Sequence, residues 1–267
     1  MSEASARHRA SASEPMADGS GAQPQGKRGV SEAALTVEGL HGGYTRAPVL
    51  RDVTVEVGAG EIVACFGRNG AGKTTLLRGI CGALPVCSGS VRLAGRAVER
   101  APIWKRTRLG LAHVPEGRHV FKPLTVRENL EAGALGSAHP PAIEEIYELF
   151  PRLGERQSQR AGTLSGGEQQ MLVIGRALMS SPTVMLIDEM SAGLAPVLTD
   201  RLVEGLTRIR GRGVGILLVE QAPHLVAEVI DRAYLLEQGR VVGSGTLAEL
   251  GGPAAIADLY LGVRVSR

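Results

Sequence analysis

The distribution of apolar positions divides the chain near residue 34. Residues 1–33 are rich in Ser, Ala, Gly, Pro and charge and hold no apolar cluster. Such a segment cannot bury enough surface to offset the entropy of ordering, so a disordered tail is expected. From 34 onward, β-type runs at 34–40, 50–57 and 61–66 are separated by glycine-containing turns, and the last leads directly into a glycine-rich loop. A helix is predicted over 73–82, with strands at 90–93 and 111–114. Between 124 and 153 the period changes: Val126 and Leu130, then Ile143, Ile146 and Leu149, recur at helical spacing around a Gly- and Pro-containing break at 133–141.

That stretch, with a helix at 165–179, predicts a helical subdomain of about 122–180 inserted into the surrounding core. Strand 183–187, helix 198–209 and strand 215–219 restore the alternation, and 233–236 with 240–242 around Gln238-Gly239 predict a hairpin. Strand and helix in alternation predict an α/β fold over 34–265, with a mostly parallel core sheet covered on both faces.

Composition narrows the setting. The chain has 267 residues, 43% of them hydrophobic, enough for one large α/β domain or one domain with a subdomain. Without an apolar run of about 18 residues or the apolar core of a secretory signal, a soluble cytoplasmic protein is expected. A tag or an amphipathic targeting arm is the other reading of the tail. Cys65, Cys81 and Cys87 are odd in number and match no zinc module, so reduced thiols are expected. A net charge of +3 with three Phe, four Tyr and one Trp reads as a solvated surface and not as a nucleic-acid interface.

Gly67-Arg68-Asn69-Gly70-Ala71-Gly72-Lys73-Thr74, followed by Thr75, has the spacing of a phosphate-binding loop between a strand and a helix. Its glycines let backbone N–H groups turn inward on phosphates, and the helix N-terminus adds positive field. Lys73 is expected to reach the β- and γ-phosphates of a bound nucleotide and the Thr74 hydroxyl to hold Mg²⁺, a pattern shared by small-molecule kinases, GTPases and recombination ATPases. No internal repeat is visible, so one such core is expected.

Val184-Met185-Leu186-Ile187-Asp188-Glu189 is an apolar strand closed by two acids. Its C-terminal edge should open on the side of the phosphate loop, where Asp188 can face Mg²⁺ and Glu189 can orient or deprotonate an attacking water. Alone, two acids after a strand also describe a solvated turn; the phosphate loop makes them half of a site. Leu164-Ser165-Gly166-Gly167-Glu168-Gln169-Gln170 opens a helix about twenty residues upstream of Asp188. Ser and two glycines at a helix N-terminus make a second anion site, while Ser165 with Glu168 is equally a capping box.

With these three motifs the sequence resembles the ABC ATPase family from about residue 35 to 262. The resemblance implies a P-loop NTPase of ABC type with an antiparallel β subdomain beside the parallel core. It also implies that the signature 164–168 closes over ATP held by a partner subunit. By the same resemblance Tyr44 stacks on adenine and 191–196 touches the dimer partner. Three residues depart from the family's usual pattern: Glu116 stands where Gln is common, Gln221 where His is common, and Met190 where Pro often follows the catalytic Glu. Glu116 and Gln221 keep an oxygen able to approach Mg²⁺ or water, but Gln221 cannot carry a proton, and Met190 is expected to make the loop conformation less predictable.

VPEGR at 114–118, LTVRENL at 124–130, SAGLAP at 191–196 and LLVEQ at 217–221 resemble the ATPase subunit of branched-chain amino acid importers. That resemblance implies a heterodimer with a sister ATPase, or a homodimer. It further implies two membrane permeases, an extracytoplasmic solute-binding protein reached through them, and residence on the cytoplasmic face of the membrane. Urea or amide import and lipid or polysaccharide export use similar ATPases. A translation or DNA-repair ATPase would need a second core or a long coiled-coil insertion, and neither is present. The charged cluster 99–108 around Trp104 reads as a permease contact or a solvated helix face.

Overall fold

The computed structural model describes residues 33–45 and 47–261. The tail expected over 1–33 lies, except for Ala33, outside these residues, as does the end from 262. Strand β1 (Ala33–Gly43) is followed by β2 (Leu50–Gly58), and β3 (Ile62–Phe66) leads through a loop into helix α1 (Lys73–Cys81). Strands β4 (Val86–Leu93) and β5 (Arg96–Ala97), helix α2 (Ile103–Arg108) and strand β6 (Leu111–Val114) come next. The helical stretch comprises α3 (Val126–Gly133), α4 (Ile143–Leu149), α5 (Pro151–Glu155) and α6 (Gly166–Leu178). Alternation resumes with β7 (Val184–Asp188), α7 (Pro196–Gly211) and β8 (Gly215–Glu220). A hairpin of β9 (Arg232–Glu237) and β10 (Arg240–Gly245) precedes α8 (Gly252–Leu261).

Strands β3, β7 and β8 are buried from end to end, which is why their sequences are continuous apolar runs and not alternating ones. They belong to a six-stranded sheet of order β10-β9-β3-β8-β7-β6, parallel except for the β9–β10 hairpin. The pleat sorts their side chains. Ile62, Ala64, Phe66, Met185, Ile187, Ile216 and Leu218 pack with helices α3 to α7, whereas Val63, Cys65, Val184, Leu186, Leu217 and Val219 pack on the other side. That second face is covered by α1 and by an antiparallel sheet of order β2-β1-β4-β5.

Several elements depart from the sequence expectation. Strand β4 begins at Val86, not at 90, because Val86 and Cys87 pair with Gly43 and Gly42 of β1. That partner lies more than forty residues upstream and leaves no mark in the local pattern. Helix α8, unanticipated, seats Ile256 in the main core alongside Val226 and Val229. Cluster 99–108 is only partly a solvated face. Arg106 is 3% exposed, and its guanidinium donates to the carbonyls of Gly79 and Ile80 at the C-terminal end of α1. A buried cation there complements the negative end of the helix. Cys65 and Cys81 are buried free thiols whose pKa is pushed up to about 12 by burial, so they pack as apolar groups, whereas Cys87 is exposed.

His113 on β6 buries its Nε2 without a hydrogen-bond partner among the described residues, and burial together with the charge of Arg78 lowers its pKa from 6.5 to about 4. The folded protein keeps this ring neutral where the unfolded chain takes up a proton. Its contribution is therefore intact above pH 6.5 and is lost as the pH falls toward 4. At pH 5 the loss is about 2 kcal/mol. His113→Leu is expected to shrink the drop in Tm between pH 7 and pH 5 measured by thermal denaturation; an undiminished drop would place the acid sensitivity elsewhere.

Candidate active site

The parallel register brings three strand ends to one edge. Phe66 pairs with Glu220, and Val219 with Asp188. Because β8 runs between β3 and β7, Glu220 and Gln221 lie between the phosphate loop and the acidic pair. Such a carboxyl edge is where ligands of parallel α/β sheets bind.

At this edge the chain passes from β3 through 67–72 into α1. Gly72 caps the helix with φ 107°, and a Cβ there would press Leu50 Cδ2 at 3.3 Å in a conformation side chains rarely adopt. No side chain caps α1, so its first N–H groups are left facing the loop, the geometry of an anion site. Lys73 is 5% exposed, and its ammonium donates to the carbonyls of Gly67 at 2.9 Å and Arg68 at 3.4 Å. Arg68, Asn69 and Gly70 are exposed, while Ala71 and Thr75 are buried supports.

Lys73 Nζ stands 3.6 Å from Glu189 Oε1, and the Gln221 amide donates to the same oxygen at 2.6 Å. Glu189 is thus gripped from both sides. Its backbone has φ 46°, the left-handed region, and its N–H donates to Val219 O at 2.9 Å. For a non-glycine residue that conformation costs about 1–2 kcal/mol, which the surrounding contacts must hold. Asp188 is 1% exposed, and neither carboxylate oxygen has a hydrogen-bond partner of normal geometry among the described residues. Burial raises its pKa; the nearby Thr74 hydroxyl lowers it, the Glu189 and Glu116 carboxylates raise it, and Lys73 lowers it. Thr74 is close enough to act on Asp188 without completing a well-aligned bond.

Lys73, Thr74, Glu116, Asp188, Glu189 and Gln221 therefore form one group with three carboxylates and a single ammonium. Excess negative charge beside two unpartnered buried oxygens suits a hard divalent cation. No three carboxylate, imidazole or thiol groups among the described residues make a closed metal cage. That fits Mg²⁺, which takes one or two protein ligands and leaves its other positions to phosphate oxygens and water.

Tyr44 stands apart from this group. It is 47% exposed, and its hydroxyl accepts from Arg78 Nη1 at 2.8 Å on the flank of α1. The segment 164–168 is likewise joined to the phosphate loop by no hydrogen bond or ion pair among the described residues. Leu164 is buried, and Ser165 caps α6: its N–H and hydroxyl donate to Glu168 Oε2 at 2.9 and 2.8 Å, and Glu168 N–H returns to Ser165 Oγ at 3.4 Å. The capping box is thus real, and Gly166 and Gly167 follow it as the first residues of α6. Met190, for which the loop conformation is not predictable from sequence, is 1% exposed and anchored in the main core.

Sequence reading passed over two residues. The Arg118 guanidinium donates to Gly193 O at 3.1 Å and lies so close to Gly166 that a side chain there would overlap it, linking the loops after β6 and β7 to the start of α6. Glu220 is 2% exposed and accepts from Ser191 N–H and O–H. An acid closing an apolar strand, the signal that identified Asp188, was present at Glu220 as well.

A phosphate cradle and acidic pair at the carboxyl edge of a parallel sheet, with a second helix N-terminus on the helical insertion, define a P-loop nucleotide-binding protein. The chain belongs to the ABC transporter family, whose model matches residues 50–192. It is 47% identical to the high-affinity branched-chain amino acid transport ATP-binding protein BraG of Pseudomonas aeruginosa, over 82% of this chain and 95% of that protein. Identity to the probable branched-chain amino acid transport ATP-binding protein LivF of Archaeoglobus fulgidus is 39%, over 79% and 91%. The lipopolysaccharide export ATP-binding protein LptB of Escherichia coli is 30% identical over 86% and 98%. Among solved structures, an ATP-binding subunit of an ABC transporter superposes with a TM-score of 0.71 at 31% identity, over 87% of this chain and 95% of that one. A nucleotide-free ATP-binding cassette gives a TM-score of 0.75 at 23% identity, covering 88% and 100%, a likeness of fold. The chain is an ATP-binding, ATP-hydrolysing transporter subunit.

Lys73→Ala removes the buried ammonium that faces the cradle and leaves Glu189 without its cationic neighbour. Since a hydrogen bond to a charged group contributes about 1.5–3 kcal/mol, ATP affinity measured by calorimetry is expected to fall about 10- to 100-fold. Unchanged affinity would remove Lys73 from the cradle.

Proposed function

We propose that this chain energises import of branched-chain amino acids, or of a related small polar solute, by hydrolysing ATP at a site completed by a second ATPase subunit. The solute class is carried by the 47% identity to BraG across 82% of the chain. Support for the chemistry comes from the convergence of Lys73, Asp188, Glu189 and Gln221 on one sheet edge.

In this reading Lys73 and the 67–72 backbone bind the phosphates, and Thr74 and Asp188 hold Mg²⁺, which when bound neutralises charge on the β- and γ-phosphate oxygens. Glu189 orients the attacking water in line with the γ-phosphate and draws on its proton. Gln221, which cannot take up that proton, acts by fixing the Glu189 carboxylate through its amide. Leu164, Ser165, Gly166, Gly167 and Glu168 present the α6 N-terminus to ATP on the partner subunit, and Tyr44 offers a ring face to adenine. Glu116 lies beside Asp188 and relays its state along 115–121 to the helical insertion of about 122–180. The second ATPase is a sister subunit, and the assembly works at the cytoplasmic face of the membrane. No helix among the described residues is long and apolar enough to cross a membrane, so contact with the bilayer would come through permeases.

A docking place for a permease is an open cleft of about 810 Å³ between α2 and the insertion, lined by Trp104, Arg108, Leu135, His139 and Ser181. Trp104 is 60% and Leu135 84% exposed, large apolar surfaces of the kind that mark a contact. Its intended occupant is a cytoplasmic segment of the permease.

Glu189→Gln is expected to reduce turnover at least about 100-fold while ATP still binds and holds a dimer detectable by size-exclusion chromatography. Hydrolysis at the wild-type rate would take the role from Glu189. Trp104→Ala is expected to lower recovery of permease in co-purification and to weaken solute-stimulated hydrolysis, with basal hydrolysis by the paired ATPase subunits without permease unaltered. Undiminished recovery would move the docking place. Transport assays with leucine, isoleucine and valine against urea and short amides discriminate the solute.

A further inference from the structure

Glu220 is a buried acid that the hydrolytic scheme above does not use. It ends β8, the strand between the phosphate loop and the acidic pair. Both carboxylate oxygens are committed to one residue across the edge: Oε1 accepts the Ser191 N–H at 3.0 Å and Oε2 accepts the Ser191 hydroxyl at 2.9 Å. No ion pair to Glu220 is formed among the described residues, so hydrogen bonds, chiefly these two from Ser191 with the nearby Gln221 N–H, satisfy its buried oxygens. Burial raises its pKa, the Ser191 hydroxyl and N–H and the Gln221 N–H lower it, and the Glu189 carboxylate raises it.

The consequence lies one turn away, at Glu189. Residues 219, 220 and 221 each reach the chain that leaves β7: Val219 O accepts Glu189 N–H, Glu220 holds Ser191, and the Gln221 amide holds the Glu189 carboxylate. The turn so fastened contains the left-handed backbone of Glu189, at φ 46°. Without a fastening on its far side, that backbone would relax toward the ordinary region and carry the carboxylate away from Lys73 and Gln221. We infer that Glu220 is a positioning residue for ATP hydrolysis, clamping Ser191 so that the Glu189 carboxylate stays aimed at the water it orients. The inference rests on the reading of Glu189 given above.

The test uses the full chain with the transporter subunits that co-purify with it, and reads kcat, the KM for MgATP, nucleotide affinity and Tm. A displacement of about 1 Å in a catalytic group can reduce the rate about 100-fold. Glu220→Ala should accordingly lower kcat by about 10- to 100-fold, with KM and nucleotide affinity within about twofold. Glu220→Gln preserves the clamp, because its amide oxygen accepts the Ser191 N–H and its NH₂ donates to Ser191 Oγ; it should restore kcat to within about fivefold of wild type. Ser191→Ala removes one of the two bonds and should lower kcat by several-fold, and adding it to Glu220→Ala should cause no further loss.

Wild-type kcat in both Glu220→Ala and Ser191→Ala would overturn the inference. So would equal losses in the Ala and Gln variants, or a loss of nucleotide affinity and Tm that matches the loss of kcat, since those results describe a role in folding. If Glu220→Ala does not fold, Glu220→Gln and Ser191→Ala decide the matter by the same criteria. Glu189→Gln is the control on the underlying reading: if that variant still turns over, the assignment of Glu189 fails, whatever the Glu220 variants do.

Discussion

Parallel hydrogen bonding among β3, β8 and β7 is the constraint on which the site depends. The register pairs Phe66 with Glu220 and Asp188 with Val219, so each strand delivers its last residue to the same edge. Apolar side chains on both faces keep these strands in place, and a one-residue slip would exchange the faces of the whole strand. Groups from three separated parts of the chain are thereby brought together, Lys73 3.6 Å from the Glu189 carboxylate and the Gln221 amide hydrogen-bonded to it. The loops then need to supply chemistry and local conformation, not long-range positioning.

Electrostatics at this edge are unbalanced in a useful direction. Glu116, Asp188 and Glu189 act on one another with Lys73 as their cationic neighbour, and the buried Asp188 oxygens have no partner of normal geometry. A divalent cation and a polyphosphate bound together complement such a site, the cation meeting the acids and the phosphates meeting Lys73 and the uncapped start of α1. At α6, by contrast, the Ser165–Glu168 box satisfies part of the helix start within the chain itself. Among the described residues the two helix N-termini share no hydrogen bond or ion pair.

Much of this architecture was legible from residue patterns. The buried strands announced themselves as unbroken apolar runs, α3 showed in the helical spacing of Val126 and Leu130, α6 began at a Ser followed three residues later by Glu, and the phosphate loop had its characteristic spacing. Those signals are local: the period of apolar burial, the cap of a helix and the freedom of glycine operate within a few residues. The same locality explains what was missed. Strand β4 takes its length from β1, Arg106 is buried because α1 ends above it, and the place of Met190 is set by the core.

The motifs that led to a nucleotide site were therefore written in order along the chain, in Lys73, Thr74, Asp188 and Glu189, because together those residue types at those spacings have few other uses. Which strand separates the loop from the acids was not. Nothing in residues 215–221 taken alone indicates that β8 enters the sheet between β3 and β7, or that Glu220 meets Ser191 twenty-nine residues upstream. Strand order is chosen by packing of whole faces and by crossover geometry, energies that belong to no single segment. Hence the nucleotide chemistry could be read from the linear chain, whereas the support that holds Glu189 in its strained conformation existed only once the sheet had closed around β8.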